Sequence, residues 1–77
     1  MGKLTAMDLH AALRALVGSR CKVRIDDDGE LGGRIEAIAS AHIGTCLEQS
    51  MNRTVFVVKL DSGHLVELPG SDLLGVG

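Results

Sequence analysis

The feature that most constrains this fold is a pair of short turns that each end in glycine. Each turn lies between two stretches in which apolar and polar residues alternate. Before the first turn, the stretch CKVRI alternates strictly, with Cys21, Val23 and Ile25 on one side. A period of two is typical of a β-strand that buries one face. The turn itself, DDG at residues 27–29, predicts a three-residue hairpin loop in which glycine takes the left-handed conformation.

The apolar faces of the two strands agree across this first hairpin. The loop pairs Asp26 with Glu30 and Ile25 with Leu31. A one-residue error in register would move every side chain of a strand to its other face, so the agreement supports the pairing. On the second strand, the predicted inward face consists of Leu31, Gly33, Ile35 and Ala37.

The second turn, DSG at residues 61–63, predicts another three-residue hairpin loop that ends in glycine. It pairs Val58 with Val66 and Phe56 with Leu68, so that the apolar faces coincide again. The aspartates of both turns are explained by turn chemistry, because Asp side chains bond the local backbone there. A calcium loop needs oxygen ligands at alternating positions and a later glutamate, which DDDGE does not provide. A weak cation site at Asp26, Asp27 and Asp28 stays the alternative.

A helix precedes the first hairpin. In TAMDLHAALRALVGS, Thr5 is a favourable N-cap and Gly18 a favourable residue just past the C-terminus. The helical spacing places Leu9, Leu13, Leu16 and Val17 on one face. We therefore expect an N-terminal helix within residues 1–18 and a small β-barrel over residues 19–77, together forming one domain.

The remaining segments complete five strands. Alternation predicts a middle strand from Ile43 to Glu48, followed by a polar loop at residues 49–53. Near the end, Pro69 and Gly70 break a strand, residues 71–73 suit one 3₁₀ turn, and residues 74–76 could form a last strand.

Composition limits the functional classes. The chain has 77 residues and a single aromatic residue, Phe56, so its core must be mostly aliphatic. A net charge of −2 and a pI near 5.8 argue against a general nucleic-acid or membrane-surface binder. We find no secretory signal or membrane span in the sequence and expect a cytoplasmic protein with reduced thiols.

Residues suited to catalysis or metal binding are scattered. Cys21 and Cys46 fit no zinc or disulfide motif. His42 and Cys46 would stand about 13 Å apart on a strand, too far for one zinc ion. No serine lies in a nucleophile-elbow context. We expect no enzyme activity, no metal and no cofactor, although an active site formed between subunits stays an alternative.

Two segments resemble known small barrels. VELPGSDLLGV is similar to the closing part of SH3-like barrels, in which a strand, a proline, a 3₁₀ turn and a final strand follow one another. LVGSRCKVRIDDDGELGGRIEAI is similar to the first motif of Sm-like RNA-binding proteins. The resemblance implies a mainly β fold, with an N-terminal α-helix and a five-stranded SH3-like small β-barrel, and the Sm-like barrel as the alternative.

Three apolar residues of the second hairpin are predicted to point outward. These are Val55, Val57 and Leu65, because Phe56, Val58 and Leu60 point inward. Either the helix covers them or they form an exposed patch, which usually marks a partner surface. We expect a non-catalytic module that binds a larger protein or assembles with its own copies, with these residues in contact.

The first hairpin offers a second surface. Its predicted register places Lys22 opposite Arg34, with Arg24 diagonal to Arg34, and brings Arg20 beside Glu36. Either the nearby carboxylates offset this positive charge, or the patch meets an anion such as a phosphate backbone. Nucleic-acid binding through Lys22, Arg24 and Arg34 is therefore the alternative function.

Overall fold

The computed structural model describes residues 5–26 and 29–76, which form a mainly β structure with two short helices. In chain order the elements are α1 (Ala6–Arg14), β1 (Arg20–Ile25), β2 (Gly29–Ser40), α2 (Leu47–Arg53), β3 (Val55–Leu60), β4 (Leu65–Pro69), a 3₁₀ turn (Gly70–Asp72) and β5 (Leu73–Val76).

The strands form one antiparallel sheet in the order β4-β3-β2-β1-β5. A barrel requires the two edge strands of a sheet to pair with each other. In the described part of the chain β4 pairs only with β3, and β5 pairs only with β1. The predicted five strands are therefore present, but the predicted closure into a barrel is not observed.

Helix α1 begins as predicted and ends earlier. The Thr5 hydroxyl accepts a hydrogen bond from the Asp8 amide at 3.1 Å, and the Asp8 carboxylate accepts one from the Thr5 amide at 3.0 Å. This capping box satisfies two amides and lowers the pKa of Asp8 through the Thr5 backbone bond. The helix ends at Arg14, and turns follow up to Gly18, whose φ is +95°.

The first hairpin is formed with a register that differs from the predicted one by two residues. Ile25 pairs with Gly29 and Val23 with Leu31, in each case two residues earlier on β2 than predicted. Gly29 has a φ of +71°, but Asp27 and Asp28 lie outside the described residues. A shift of two keeps each side chain on its face, which is why alternation alone did not reveal it.

The second hairpin confirms the predicted register. Val58 pairs with Val66 and Phe56 with Leu68. Gly63, with a φ of +97°, donates its amide to the Leu60 carbonyl at 2.8 Å. The DSG turn therefore has the left-handed glycine that the sequence predicted.

Two register shifts in β2 change the faces of that strand. Ile35 pairs with Val58 and Ile38 with Phe56, although an uninterrupted alternation cannot place both isoleucines on one face. Each shift inserts one unpaired residue, as a β-bulge does. As a result Ala37 is exposed, and its predicted place on the inward face is wrong.

The predicted middle strand at residues 43–48 is also wrong. Residues 41–46 form no strand, and the segment predicted as a polar loop belongs to helix α2. The buried Ser50 hydroxyl donates to the Cys46 carbonyl and accepts from the Gly44 amide, both at 2.8 Å. Such hydrogen bonds from a side chain to the local backbone favour the helix. They outweigh the strand preference suggested by the alternation at only three positions, Ile43, Thr45 and Leu47.

The core lies on the inner face of the sheet and is almost entirely aliphatic. Phe56 is fully buried at its centre, and Leu13 of α1 closes one side. The predicted inward positions of Cys21 and Val23 are confirmed. The buried cluster consists of Leu13, Cys21, Val23, Ile35, Phe56, Val58, Leu60 and Leu68.

We predict that Gly70→Ala destabilises the fold by about 1–3 kcal/mol, because overpacking a close contact has costs of that size. An added Cβ would overlap the Met51 carbonyl oxygen and approach Phe56 Cε2 to 3.2 Å. Gly75→Ala is the matched control, since no atom lies within 4 Å of its added Cβ. Urea unfolding of both variants checks this, and equal losses would contradict it.

Candidate interaction surface

The outer face of the sheet carries a row of three cations on adjacent strands. Arg20 of β1 pairs with Arg34 of β2, and Arg34 pairs with Lys59 of β3. All three side chains are exposed, while their neighbours Cys21 and Val58 are buried. Neighbouring strands are about 4.8 Å apart, so this basic row (Arg20, Arg34 and Lys59) spans roughly 10 Å.

The basic row differs from the surface predicted from the sequence. Arg34 belongs to it, but the predicted pairing of Lys22 with Arg34 is wrong. Lys22 lies opposite Gly32 and Gly75 instead, and Arg24 lies opposite Glu30. Lys22, Arg24 and Arg34 still share the outer face, because the register shift is even. Sequence reasoning missed Lys59 as part of this row, although the outward phase of its strand was a usable signal.

Arg20 forms the one ion pair among the described residues. Its Nη1 donates to Asp61 Oδ1 at 2.8 Å and its Nη2 to Asp61 Oδ2 at 3.1 Å. The predicted neighbour of Arg20 was Glu36. Because 41 residues separate Arg20 from Asp61, no local pattern in the sequence indicates this pair.

Gly32 makes the Arg20–Asp61 pair sterically feasible. The Asp61 amide donates to the Gly32 carbonyl at 3.0 Å, and a Cβ at Gly32 would lie 2.7 Å from Asp61 Oδ2. The hydrogen bond from Arg20 is the main reason that the pKa of Asp61 lies below its ordinary value. The same bond raises the pKa of Arg20.

The three predicted contact residues lie beside the basic row. Leu65 pairs with Lys59 and has 64% of its surface exposed, whereas Val55 and Val57 are half-buried. None of the three belongs to the core or to the partly buried residues packed on it. Helix α1 packs against α2, and its buried residues are Leu9 and Leu13. We call Val55, Val57 and Leu65 the apolar patch.

Two shallow grooves border this outer face. One, of about 370 Å³, has Lys22 between Gly32 and Gly75, two residues without side chains. The other, of about 600 Å³, lies between α1 and β2 and is lined by residues that include His10, Arg14 and Ala37. Both grooves are open to solvent along the sheet.

The described cysteines have structural positions. Cys21 is in the core, where burial raises the pKa of its thiol. Cys46 caps α2, with its Sγ accepting from the Gln49 amide at 3.4 Å. Among residues 5–26 and 29–76, no three His, Cys, Asp or Glu side chains lie close enough to hold a metal ion.

Comparison with known proteins gives no relative: no family profile matches this chain, and neither does any curated protein or solved structure. In the part of the chain that the structure describes, neither helix has the length and apolar character needed to cross a bilayer.

We predict that Arg20→Gln raises the pKa of Asp61 toward its ordinary value of about 3.9. The folded-state pKa is now lower than the unfolded one, so the pair stabilises the fold above about pH 4. That stabilisation is lost as the pH falls through the folded-state pKa. Titration of the Asp61 carboxyl by NMR in both proteins measures the shift directly.

Stability measurements provide the control for this prediction. The difference in urea midpoint between wild type and Arg20→Gln should shrink from pH 7 to pH 3. Glu67→Gln removes an exposed carboxylate that makes no ion pair with the described residues, and should leave the Asp61 pKa unchanged. An identical Asp61 titration in wild type and Arg20→Gln would show that the pair does not persist in solution.

Proposed function

We propose that this protein is a non-catalytic assembly or protein-binding module that associates through the apolar patch on the outer face of its sheet. The observation that carries the proposal is the exposure of Leu65 on β4. On the neighbouring strand β3, Lys59 pairs with Leu65, and Val57 and Val55 follow on the same face. Apolar side chains that lie together outside the core favour association because contact removes them from water.

The two sheet edges support the same function. An edge strand has unpaired amides and carbonyls that can pair with another chain. Strand β4 carries the edge-protecting residues Glu67 and Pro69, whereas β5 has no charged residue and exposes Leu74 and Val76. An unpaired edge, together with an apolar patch in which Leu65 is exposed and Val55 and Val57 are half-buried, is typical of a surface that binds a partner.

We also propose that the fold is an opened relative of the SH3-like small barrels. The strand order β4-β3-β2-β1-β5 and the 3₁₀ turn before β5 support this assignment. Within the described residues the sheet has two unpaired edge strands, β4 and β5, to which a strand of a partner could add.

Nucleic-acid binding is the second candidate, supported by the basic row together with Lys22 and Arg24. Phosphate contacts by such residues would make affinity fall steeply with salt concentration. The one aromatic residue, Phe56, is fully buried, so this surface has no ring for stacking on bases. The apolar patch is therefore the better-supported contact surface.

We predict that Leu65→Glu weakens self-association about tenfold or more, because a buried leucine contributes about 1.5–3 kcal/mol to a contact. The variant should stay folded, since its new carboxylate lies opposite Lys59 and cross-strand opposite charges are favourable. Light scattering up to about 1 mM protein detects association as weak as about −4 kcal/mol.

Met7→Glu is the matched control. Met7 is 82% exposed on α1, away from the apolar patch, so this variant should associate like the wild type. A wild type that keeps its monomer mass of 8.1 kDa at every concentration would refute self-assembly. Equal weakening by both variants would show that the contact is not specific to the patch.

A further inference from the structure

Four side chains on the outer face of β3 and β4 form a square whose two diagonals differ in chemistry. Lys59 pairs with Leu65, and Val57 pairs with Glu67. These two cross-strand pairs lie on the same face of the sheet, since the intervening Val58 is buried. One diagonal of the square therefore joins the opposite charges of Lys59 and Glu67, and the other joins the apolar Val57 and Leu65.

The charged corners of the square are available to a partner. Lys59 and Glu67 are exposed, and neither forms an ion pair with a described residue. Arg34 pairs with Lys59 from β2 and adds to the positive corner. Glu36 and Asp61 line the depression around these cations, but Asp61 is engaged in its ion pair. One unpaired carboxylate therefore lies beside two unpaired cations, and this corner stays positive.

We infer that the square binds the same square of a second copy of this chain, with the two sheets face to face and a two-fold axis along the apolar diagonal. Rotation about this axis leaves Val57 and Leu65 facing their own counterparts. It exchanges the charged corners, so Lys59 of each copy faces Glu67 of the other and the ionic contact is made twice. The inference rests on the proposed function and identifies the partner of the apolar patch.

The geometry of this dimer corresponds to a known class of sheet packing. Neighbouring strands are about 4.8 Å apart, and residues two apart along a strand are about 6.8 Å apart, so a diagonal of the square is inclined about 35° to the strands. Strands of the two copies would then cross at about 70°, close to the orthogonal class of packed sheets. Ala37 is exposed beside Val57, and its small side chain adds apolar area next to the axis.

A second copy fits this face better than a nucleic acid or an uncharged partner. Because Glu67 belongs to the square, a phosphate backbone across it would meet a negative charge as well as the cations. An uncharged apolar partner would leave both charged corners covered and unpaired, which is unfavourable. A second copy pairs both corners, and complementary charges of this kind fix the register of a contact.

The test uses charge reversals in the full chain, studied by sedimentation equilibrium. Lys59→Glu and Glu67→Lys each place like charges across the axis twice, so each should dimerise at least tenfold more weakly than the wild type. The double variant Lys59→Glu/Glu67→Lys exchanges the corners, keeps the net charge of −2 and should dimerise like the wild type. An equimolar mixture of the two single variants should also dimerise, since both of its ionic contacts join opposite charges.

Arg53→Glu on α2 is the matched control. It changes the net charge as Lys59→Glu does, at an exposed position outside the sheet, and should dimerise like the wild type. Circular dichroism verifies that each variant is folded, and an unfolded variant could not restore dimerisation in the mixture.

Three results would overturn the inference. The first is a wild type that is monomeric at about 1 mM, where contacts as weak as about −4 kcal/mol are detected. The second is a folded double variant that dimerises as weakly as the single variants. The third is equal dimerisation of Lys59→Glu and Arg53→Glu. Duplex oligonucleotide binding that Lys59→Glu abolishes and Glu67→Lys strengthens would assign this face to a polyanion instead.

The outcomes also separate this inference from the proposed function. If Leu65→Glu abolishes association and the charge reversals leave it unchanged, the apolar patch is the contact and the charge-paired dimer is wrong. If the reversals abolish association and Leu65→Glu does not, the proposed role of the patch is wrong. If the wild type is monomeric, the dimer is wrong, and the proposed function then requires a different protein as partner.

Discussion

The structure depends on the burial of one aromatic ring in an otherwise aliphatic core. Phe56 is fully buried on β3, where it pairs with Ile38 of β2 and Leu68 of β4. Gly70 of the 3₁₀ turn lies against both this ring and the Met51 carbonyl, so the turn and α2 are held close to β3. A chain of 77 residues buries limited apolar surface, and a contact that joins five elements has a large share in it.

Packing around Phe56 also determines the outer face. The register shift between Ile35 and Ala37 brings Ile35 and Ile38 to the core together and turns Ala37 outward. Toward the other end of β2, Gly33 is buried where a Cβ would lie 2.8 Å from the Lys59 carbonyl oxygen. The close approach of β2 to β3 places Arg34 directly beside Lys59. The basic row is thus a consequence of how the core side of the sheet packs.

The outer face combines two kinds of surface that neither hairpin has by itself. Apolar side chains of β3 and β4 lie beside cations contributed by three strands, and Lys59 and Leu65 are direct neighbours. Such a boundary favours a protein partner that has apolar and acidic groups side by side.

Local patterns in the sequence determined the α1 capping box, the second hairpin with its left-handed Gly63, and the inward position of the core residues. Only the tertiary structure decided the register of the first hairpin, since a shift of two residues preserves alternation. Helix α2 depends on hydrogen bonds of buried hydroxyl groups such as that of Ser50. The Arg20–Asp61 ion pair depends on the pairing of three strands. Alternation reports which face a residue occupies; its neighbours across the sheet depend on contacts between segments far apart in the chain.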